Sequence, residues 1–172
     1  MRRIRYSVAM SLDGYIAGPN GEADWIVMDP EIDFAAMMSE FDAILLGRKT
    51  YEATKSYGRG SMPGMKPFVV SKTLLQQDCP GVTVINDGLK PAVTKLKKEP
   101  GKDIWLFGGG NLFRSLLDLG LVDSVEVAVV PVLLGEGIPL APPSSKRAKL
   151  QLVKTKTYKQ SGIVALEYAV KR

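Results

Sequence analysis

The sequence predicts a single α/β domain over residues 1–172, with a mixed, mostly parallel central sheet and an antiparallel C-terminal edge. Short apolar runs alternate with glycine- and proline-rich turns and with amphipathic segments, which is typical of strand–helix–strand units. No internal repeat or low-complexity linker divides the chain. The last third holds strand-like segments with little helix between them, which favours antiparallel pairing there.

The N-terminal half begins with an alternating strand, Arg5–Met10, followed by a glycine-rich loop from Asp13 to Gly21. Four apolar side chains at helical spacing predict a helix from about Pro30 to Phe41. The apolar run Ala43–Leu46 predicts a buried parallel strand, and Thr50 stands where it can cap the next helix.

Further along the chain, the same patterns predict six more strands and two more helices. The strands are Pro67–Ser71, Val82–Ile85, Asp103–Phe107, Ser124–Val130, Leu150–Tyr158 and Ile163–Val170, and the helices are Leu89–Lys98 and Asn111–Leu119.

The composition narrows the possible functions. The chain has no histidine and one cysteine, Cys79, which excludes the usual zinc sites and histidine-based nucleophilic catalysis, and we expect no metal. It shows neither a signal-peptide core nor a membrane-length apolar run, so we expect a soluble cytoplasmic protein without a membrane partner. The net charge of +5 comes from scattered cations, which favours anionic small molecules over a nucleic acid.

The segment from Trp105 to Phe113 is the most informative one. A buried strand ending at Phe107 opens into Gly108, Gly109 and Gly110, and a helix follows. Backbone N–H groups at a helix start attract anions, and glycines let a ligand touch the backbone, so this pattern suits a pyrophosphate. A plain tight turn explains three glycines equally well, and their consecutive spacing is not that of the Rossmann motif.

A second candidate site combines two predicted strand ends. Gly47-Arg48-Lys49-Thr50 follows one buried strand and Ser71-Lys72 follows the next. If these ends are neighbours, their cations and hydroxyls form a pocket that could hold a terminal phosphate. Taken singly, each of these residues is more often a solvated surface residue. The prediction of a site therefore depends on cations and hydroxyls following both strands.

A third candidate is Asp13, the polar group of a loop that Gly14 and Gly18 could allow to close over a ligand. The alternative is a structural turn, because aspartate before glycine commonly forms one.

These segments, in this order, resemble the dihydrofolate reductase superfamily. The residues that carry the resemblance are Ser11–Ala17, Leu45–Glu52, Val69–Ser71 and Phe107–Gly110. The run Pro131–Leu140 resembles more specifically the reductase domain of riboflavin biosynthesis proteins and their stand-alone relatives. The resemblance implies a dihydrofolate reductase-like three-layer fold.

The resemblance also implies a cofactor and its site. In such proteins the first strand and its loop border the nicotinamide, the turns after two strands hold the adenosine phosphate, and the glycine loop holds the pyrophosphate. Carried over to this chain, the expected cofactor residues are Ala9, Ile16, Ala17, Gly47, Arg48, Lys49, Thr50, Ser71, Lys72, Phe107, Gly108, Gly109, Gly110, Asn111 and Leu112. Arg48 and Lys72 favour NADPH over NADH, because they match its extra phosphate.

For catalysis, we expect hydride transfer to a C=N or C=O bond of a small pterin-like or pyrimidinone-like heterocycle or a carbonyl compound, as in dihydrofolate reductase or 5-amino-6-(5-phosphoribosylamino)uracil reductase. Asp13, Glu31 and Asp33 are the candidates to orient substrate or relay a proton, and Gly137 is expected to shape the substrate end of the cleft. Neither acid near the first helix matches the pterin-binding one cleanly. Deamination is excluded, because the His-x-Glu and Cys-x-x-Cys elements are missing.

Two alternatives remain at this point: a non-catalytic NADPH-binding or sensing protein, and a basic nucleic-acid-binding domain, which the scattered cations disfavour. The resemblance further implies a homodimer, for which the apolar strand Val125–Val132 offers a seam.

Overall fold

The computed structural model describes residues 1–56 and 62–171. Its strands are β1 (Ile4–Ser11), β2 (Tyr15–Ala17), β3 (Phe41–Gly47), β4 (Lys66–Val70), β5 (Thr83–Ile85), β6 (Asp103–Gly108), β7 (Ser124–Val130), β8 (Ile138–Pro139), β9 (Leu150–Thr157) and β10 (Val164–Val170). Its α-helices are α1 (Phe34–Ser39), α2 (Arg48–Ser56), α3 (Leu89–Lys98) and α4 (Gly110–Asp118), with a 3₁₀ turn at Gln76–Asp78.

The main sheet has eight strands in the order β5-β4-β3-β6-β1-β7-β10-β9, and β2 pairs separately with β8. The six strands from β5 to β7 are all parallel, whereas β10 is antiparallel to β7 and β9 is antiparallel to β10. The predicted mixed sheet with an antiparallel C-terminal edge is confirmed. Parallel strands end at the same side, so β4, β3, β6, β1 and β7 all end at one edge, hereafter the carboxyl edge.

Apolar side chains form a core on each face of the sheet, because successive residues of a strand point to opposite faces. One core contains Ile4 and Tyr6 of β1 with the buried faces of α3 and α4. The other contains Trp105 of β6 with Tyr51 of α2, and Met37 of α1 packs on it. The result is the three-layer arrangement of helices, sheet and helices that the sequence predicts.

At the side of the sheet opposite the carboxyl edge, a buried arginine links α1 to the sheet through ion pairs. Arg5 of β1 binds both carboxylate oxygens of Glu126 on β7, at 2.7 and 2.9 Å, and also binds Glu40, the residue that ends α1. Burial alone would lower the pKa of Arg5, but these hydrogen bonds and the two negative charges raise it above its ordinary value. The guanidinium therefore stays charged and holds the end of α1.

Two expectations are corrected by the structure. The helix expected from Pro30 to Phe41 is shorter, because Asp33 caps it and Phe41 already begins β3. Thr50 does not cap α2, since that helix starts at Arg48 directly after β3 and includes Thr50. The dimer seam expected at Val125–Val132 stays a prediction, and over β7 it would have to use side chains, because that strand pairs with β1 on one side and with β10 on the other.

The other predicted elements lie within two residues of their expected bounds, and α3 and β7 match theirs fully. The loop predicted from Asp13 to Gly21 contains the short strand β2. Across the described residues, no helix is long and apolar enough to cross a membrane.

Candidate functional site at the carboxyl edge

The three consecutive glycines where β6 passes into α4 occupy three different environments. At Gly108, φ is +141° and an added Cβ would meet nothing within 4 Å. At Gly109, an added Cβ would lie 3.5 Å from Thr50 Oγ1, an ordinary contact. At Gly110, it would lie 2.7 Å from the carbonyl oxygen of Pro139, which is too close. Only Gly110 is required by packing. Gly108 is buried with open space at its Cβ position, and Gly109 is half-buried with only an ordinary contact there.

Helix α4 starts at the third of these glycines, Gly110, without a side-chain cap. Its N-cap is Gly109, which has no side chain that could accept a hydrogen bond from the first turn. Asn111 is exposed, whereas Leu112 is buried beneath it and Phe107 is half-buried at the strand end. The first N–H groups of a helix need acceptors and carry partial positive charge, so this helix start is chemically suited to an anion.

The second candidate site is assembled because β3 and β4 are neighbours, with Gly47 opposite Val70. Arg48 donates a hydrogen bond from Nη1 to Thr73 Oγ1 at 2.6 Å, which links the two strand ends directly. Lys49 and Lys72 are exposed beside this link. We call Arg48, Lys49 and Lys72 the cationic corner.

Two further contacts define what the cationic corner can do. Arg48 Nε lies 3.2 Å from Glu52 Oε1, and about half of each side chain is exposed, so an exposed pair of this kind is weak. Ser71 Oγ accepts backbone hydrogen bonds from Thr73 at 3.1 Å and Leu74 at 3.0 Å. Ser71 is buried, its hydroxyl also lies 3.4 Å from Thr73 Oγ1, and it shapes the turn that presents Lys72.

Asp13 is bound on several sides. Its carboxylate accepts hydrogen bonds from Ser11 Oγ at 2.6 Å, from the Leu134 amide at 3.1 Å and from the Gly135 amide at 2.8 Å. Asp13 is exposed; the hydrogen bond from Ser11 lowers its pKa, desolvation opposes this, and the Gly135 and Leu134 amides lower the pKa further. Asp13 is thus an ionised anchor between two loops, and a poor proton donor near neutral pH.

The other two acid candidates differ from each other. Asp33 accepts a hydrogen bond from the Ala36 amide at 2.8 Å and is the N-cap of α1. Glu31 is exposed, and its backbone amide donates to Asp29 at 2.9 Å. Asp33 therefore has a structural role, whereas the Glu31 carboxylate faces solvent.

The loops expected to border the nicotinamide and the substrate contact each other closely. Ala9 lies half-buried in β1, while Ile16 and Ala17 lie in β2, which pairs with β8 through Tyr15 with Pro139 and Ala17 with Ile138. At Gly137, φ is +153° and an added Cβ would lie 2.2 Å from the carbonyl oxygen of Ala17. With the close approach of Gly110 to Pro139, these contacts bring the β2 loop and the β8 loop to the start of α4.

Sequence reasoning missed several residues at this edge. Thr73 holds Arg48, and Asn86 donates to the carbonyl oxygens of Ser71 at 3.0 Å and Leu74 at 2.6 Å. The Tyr6 hydroxyl donates a hydrogen bond to the Leu140 carbonyl oxygen at 3.1 Å. Because Tyr6 is buried, the pKa of its phenol is raised. Asp29 is a buried carboxylate. No local pattern marks the partners of these groups, although asparagine and threonine after strands are a general turn signal.

Comparison with known proteins places these features in a family. The family model of the RibD C-terminal domain matches residues 2–164. The uncharacterized protein YyaP of Bacillus subtilis is 40% identical, with 97% of this chain and 94% of YyaP covered. The riboflavin biosynthesis protein RibD of Corynebacterium ammoniagenes is 27% identical, with 76% of this chain and 43% of that protein covered.

A solved structure agrees over the full length. The crystal structure of a candidate riboflavin biosynthesis protein from Shewanella sp. PV-4 has a TM-score of 0.82 and 28% identity, and each chain is covered completely. The resemblance read from Ser11–Ala17, the strand-end turns and Pro131–Leu140 is therefore confirmed. This chain belongs to the RibD C-terminal domain family, with the dihydrofolate reductase-like fold of its riboflavin biosynthesis reductase members.

Proposed function

We propose that this protein is an NADPH-dependent reductase that transfers a hydride to a small heterocyclic or carbonyl substrate. Membership of the RibD C-terminal domain family supports a reductase role. The observation that carries the proposal is the combination, at one edge of the sheet, of the uncapped start of α4 with the cationic corner.

The residues present fit a dinucleotide phosphate. The Cβ positions of Gly108 and Gly109 are uncrowded, and the N–H groups from Gly110 to Leu112 would hold the pyrophosphate. β3 lies between β4 and β6 in the sheet, so the cationic corner adjoins the glycines. Arg48, Lys49 and Lys72, with the Ser71 hydroxyl, would bind the additional phosphate that distinguishes NADPH from NADH.

The bound nicotinamide supplies the hydride. The protein's own residues would hold the loops that shape the cleft and exclude water from it. Asp13 fixes the turn at Leu134 and Gly135, and β2 pairs with β8 beside this turn. Since Asp13 and Asp33 are both engaged by backbone amides, the proton that completes the reduction comes from the exposed Glu31 or from water in this proposal.

The direct test is calorimetric titration with NADPH and, separately, with NADH, in a buffer without phosphate so that no free anion occupies the pocket. We expect NADPH to bind at least about tenfold more tightly than NADH, since one charge-assisted phosphate contact contributes about 1.4 kcal/mol or more. Equal affinity for the two would contradict the role of the cationic corner. Binding of neither would overturn the proposal.

A second candidate function is an NADPH-binding protein that does not catalyse reduction. It is favoured by the engagement of Asp13 and Asp33 in structural hydrogen bonds, which removes two of the three expected acids. The two functions are separated by following NADPH absorbance with a panel of pterin-like, pyrimidinone-like and carbonyl compounds. Turnover supports the reductase, whereas tight binding without any turnover supports the second candidate.

A homodimer is also part of the proposal. β9 is an edge strand whose eight residues are all exposed, including Leu152 at 53% and Val153 at 58%, and exposed apolar edge strands favour association. Sedimentation equilibrium at micromolar concentration is the measurement. A monomer at every concentration would contradict it.

A further inference from the structure

Residues 22–33 form most of the connection between β2 and α1, and hydrogen bonds form at three places along it. At its start, the Gly18 amide donates to the carbonyl oxygen of Glu22 at 2.9 Å. At its end, Asp33 caps α1. Between these points lies Asp29, whose side chain reaches a distant part of the chain. Of these hydrogen bonds, only that of Asp29 joins the segment to a distant part of the chain.

Asp29 is the unusual group in this segment, because it is a carboxylate with only 2% of its surface exposed. A buried carboxylate is costly unless its oxygens accept hydrogen bonds. Oδ1 accepts from the Glu31 amide at 2.9 Å, and Oδ2 accepts from the Ser161 amide at 3.0 Å, across 132 positions of sequence. Each oxygen therefore has a backbone partner, and the second one ties the segment to the β9–β10 turn.

That turn lies at the carboxyl edge. β10 begins at Val164, which pairs with Val129 near the end of β7. An added Cβ at Gly162 would lie 3.2 Å from Pro131 Cγ, so the turn packs on the residue that follows β7. In the sheet, β6 and β1 lie between β7 and the cationic corner at β3 and β4. Asp29 therefore fixes the segment at the end of the site away from the expected phosphates.

The residues just before Asp29 are apolar and exposed. Val27 has 47% and Met28 has 61% of its surface accessible. Exposed apolar side chains on a segment that is tied down beside a candidate site can contact a ligand at little cost in conformational entropy. Val27 and Met28 directly precede Asp29 in the chain, so the attachment at Asp29 restricts the positions that these side chains can take.

We propose that Asp29 is a positioning residue for the substrate: by tying the 22–33 segment to the Ser161 amide, it holds Val27 and Met28 as an apolar wall for a planar heterocycle. This inference rests on the proposed reductase function for its kinetic consequence, although the attachment itself can be tested without any activity.

The first test follows backbone amide exchange in Asp29→Asn and in Asp24→Asn, a control that makes the same chemical change at an exposed position of the same segment. An asparagine side chain keeps one acceptor oxygen, so one of the two amides loses its partner. We expect exchange at Glu31 or Ser161 to accelerate at least about tenfold in Asp29→Asn only. Unchanged exchange at both amides would overturn the proposal.

The second test separates positioning from general stability. With whichever panel compound is turned over, we expect Asp29→Asn to raise the KM for that compound about fivefold or more, at unchanged NADPH affinity, with partial recovery in Asp29→Glu. Loss of NADPH affinity in parallel with KM would overturn the positioning role. If no compound is turned over, the proposed function fails, and the exchange result still decides the attachment.

Should Asp29→Asn not fold, the unaltered protein provides the measurement. The Glu31 and Ser161 amides share one acceptor group, so we expect both to be protected and to open with the same free energy. Protection at one amide without the other would overturn the proposal.

Discussion

The end of the carboxyl edge formed by β3, β4 and β6 carries the cationic corner. Two carboxylates that are bound to backbone amides lie at the other end, beside β1 and β7. Lys49 and Lys72 are exposed at the first, the cation end. Asp13 and Asp29 each accept two backbone hydrogen bonds at the second, the carboxylate end.

The difference separates groups that can bind a ligand from groups that build the site. An exposed cation beside an uncapped helix start has favourable interactions to gain from an anion. Amide hydrogen bonds stabilise the charged form of a carboxylate and make it a poor proton donor. The contribution of such a carboxylate is therefore to hold loops. Variants at the cation end should therefore change binding, and variants at the carboxylate end should change stability or loop order.

The largest expected effect is at Gly137, at the carboxylate end. In Gly137→Ala, the new methyl group would meet the Ala17 carbonyl oxygen at 2.2 Å in a backbone conformation that favours glycine. Strain and overpacking together predict a loss of about 3 kcal/mol in the free energy of unfolding, measured by urea denaturation.

Gly135→Ala is the matched control, because Gly135 also has a positive φ of +77° but open space around its Cβ position. It should cost about 1 kcal/mol. Equal losses in the two variants would show that the contact with Ala17 is unimportant.

The next effect contrasts two glycines of one loop. In Gly110→Ala, the methyl group would lie 2.7 Å from the Pro139 carbonyl oxygen, so we expect a loss of about 2 kcal/mol in unfolding free energy. In Gly109→Ala, the corresponding contact with Thr50 is an ordinary 3.5 Å, so stability should hold while NADPH affinity falls. Denaturation and calorimetry on both variants are the measurements. An unchanged NADPH affinity in Gly109→Ala would remove the backbone cradle from the proposal.

A smaller effect is expected at the cation end. Arg48→Ala should weaken NADPH binding about tenfold, which is about 1.4 kcal/mol, and leave NADH binding and stability nearly unchanged. Lys98→Ala, an exposed lysine at the last position of α3, is the control and should change neither affinity. A similar loss for both cofactors would mean that Arg48 acts through Thr73 and not through the extra phosphate.

The smallest effect appears only in acid. The pKa of Asp13 in the folded protein lies below its ordinary value of 3.8, so its hydrogen bonds stabilise the fold above that pH and are lost as the pH falls through the folded value. Asp13→Asn should therefore lose less stability than the unaltered protein between about pH 5 and about pH 3. Denaturation at several pH values checks this, and identical acid slopes would contradict it.

Much of the fold was predictable because its signals are local. The helix Leu89–Lys98 and the strand Ser124–Val130 have the bounds that their patterns indicate, and the glycine loop lies between a strand and a helix as expected. The helix near Phe34 was predicted too long, because Phe41 continues the helical spacing although it belongs to β3. A periodic apolar pattern cannot distinguish the last turn of a helix from the start of a buried strand.

The sequence by itself determined the elements, the family resemblance and the cations that follow β3 and β4, since those depend on side chains close together along the chain. Only the tertiary structure decided the roles of the acids and of the individual glycines. Asp13 meets Leu134 and Gly135, Asp29 meets Ser161, and Gly137 meets Ala17, each more than one hundred positions away. A carboxylate becomes an anchor or a proton donor according to its neighbours in space, and those neighbours are set by the folding of the whole sheet.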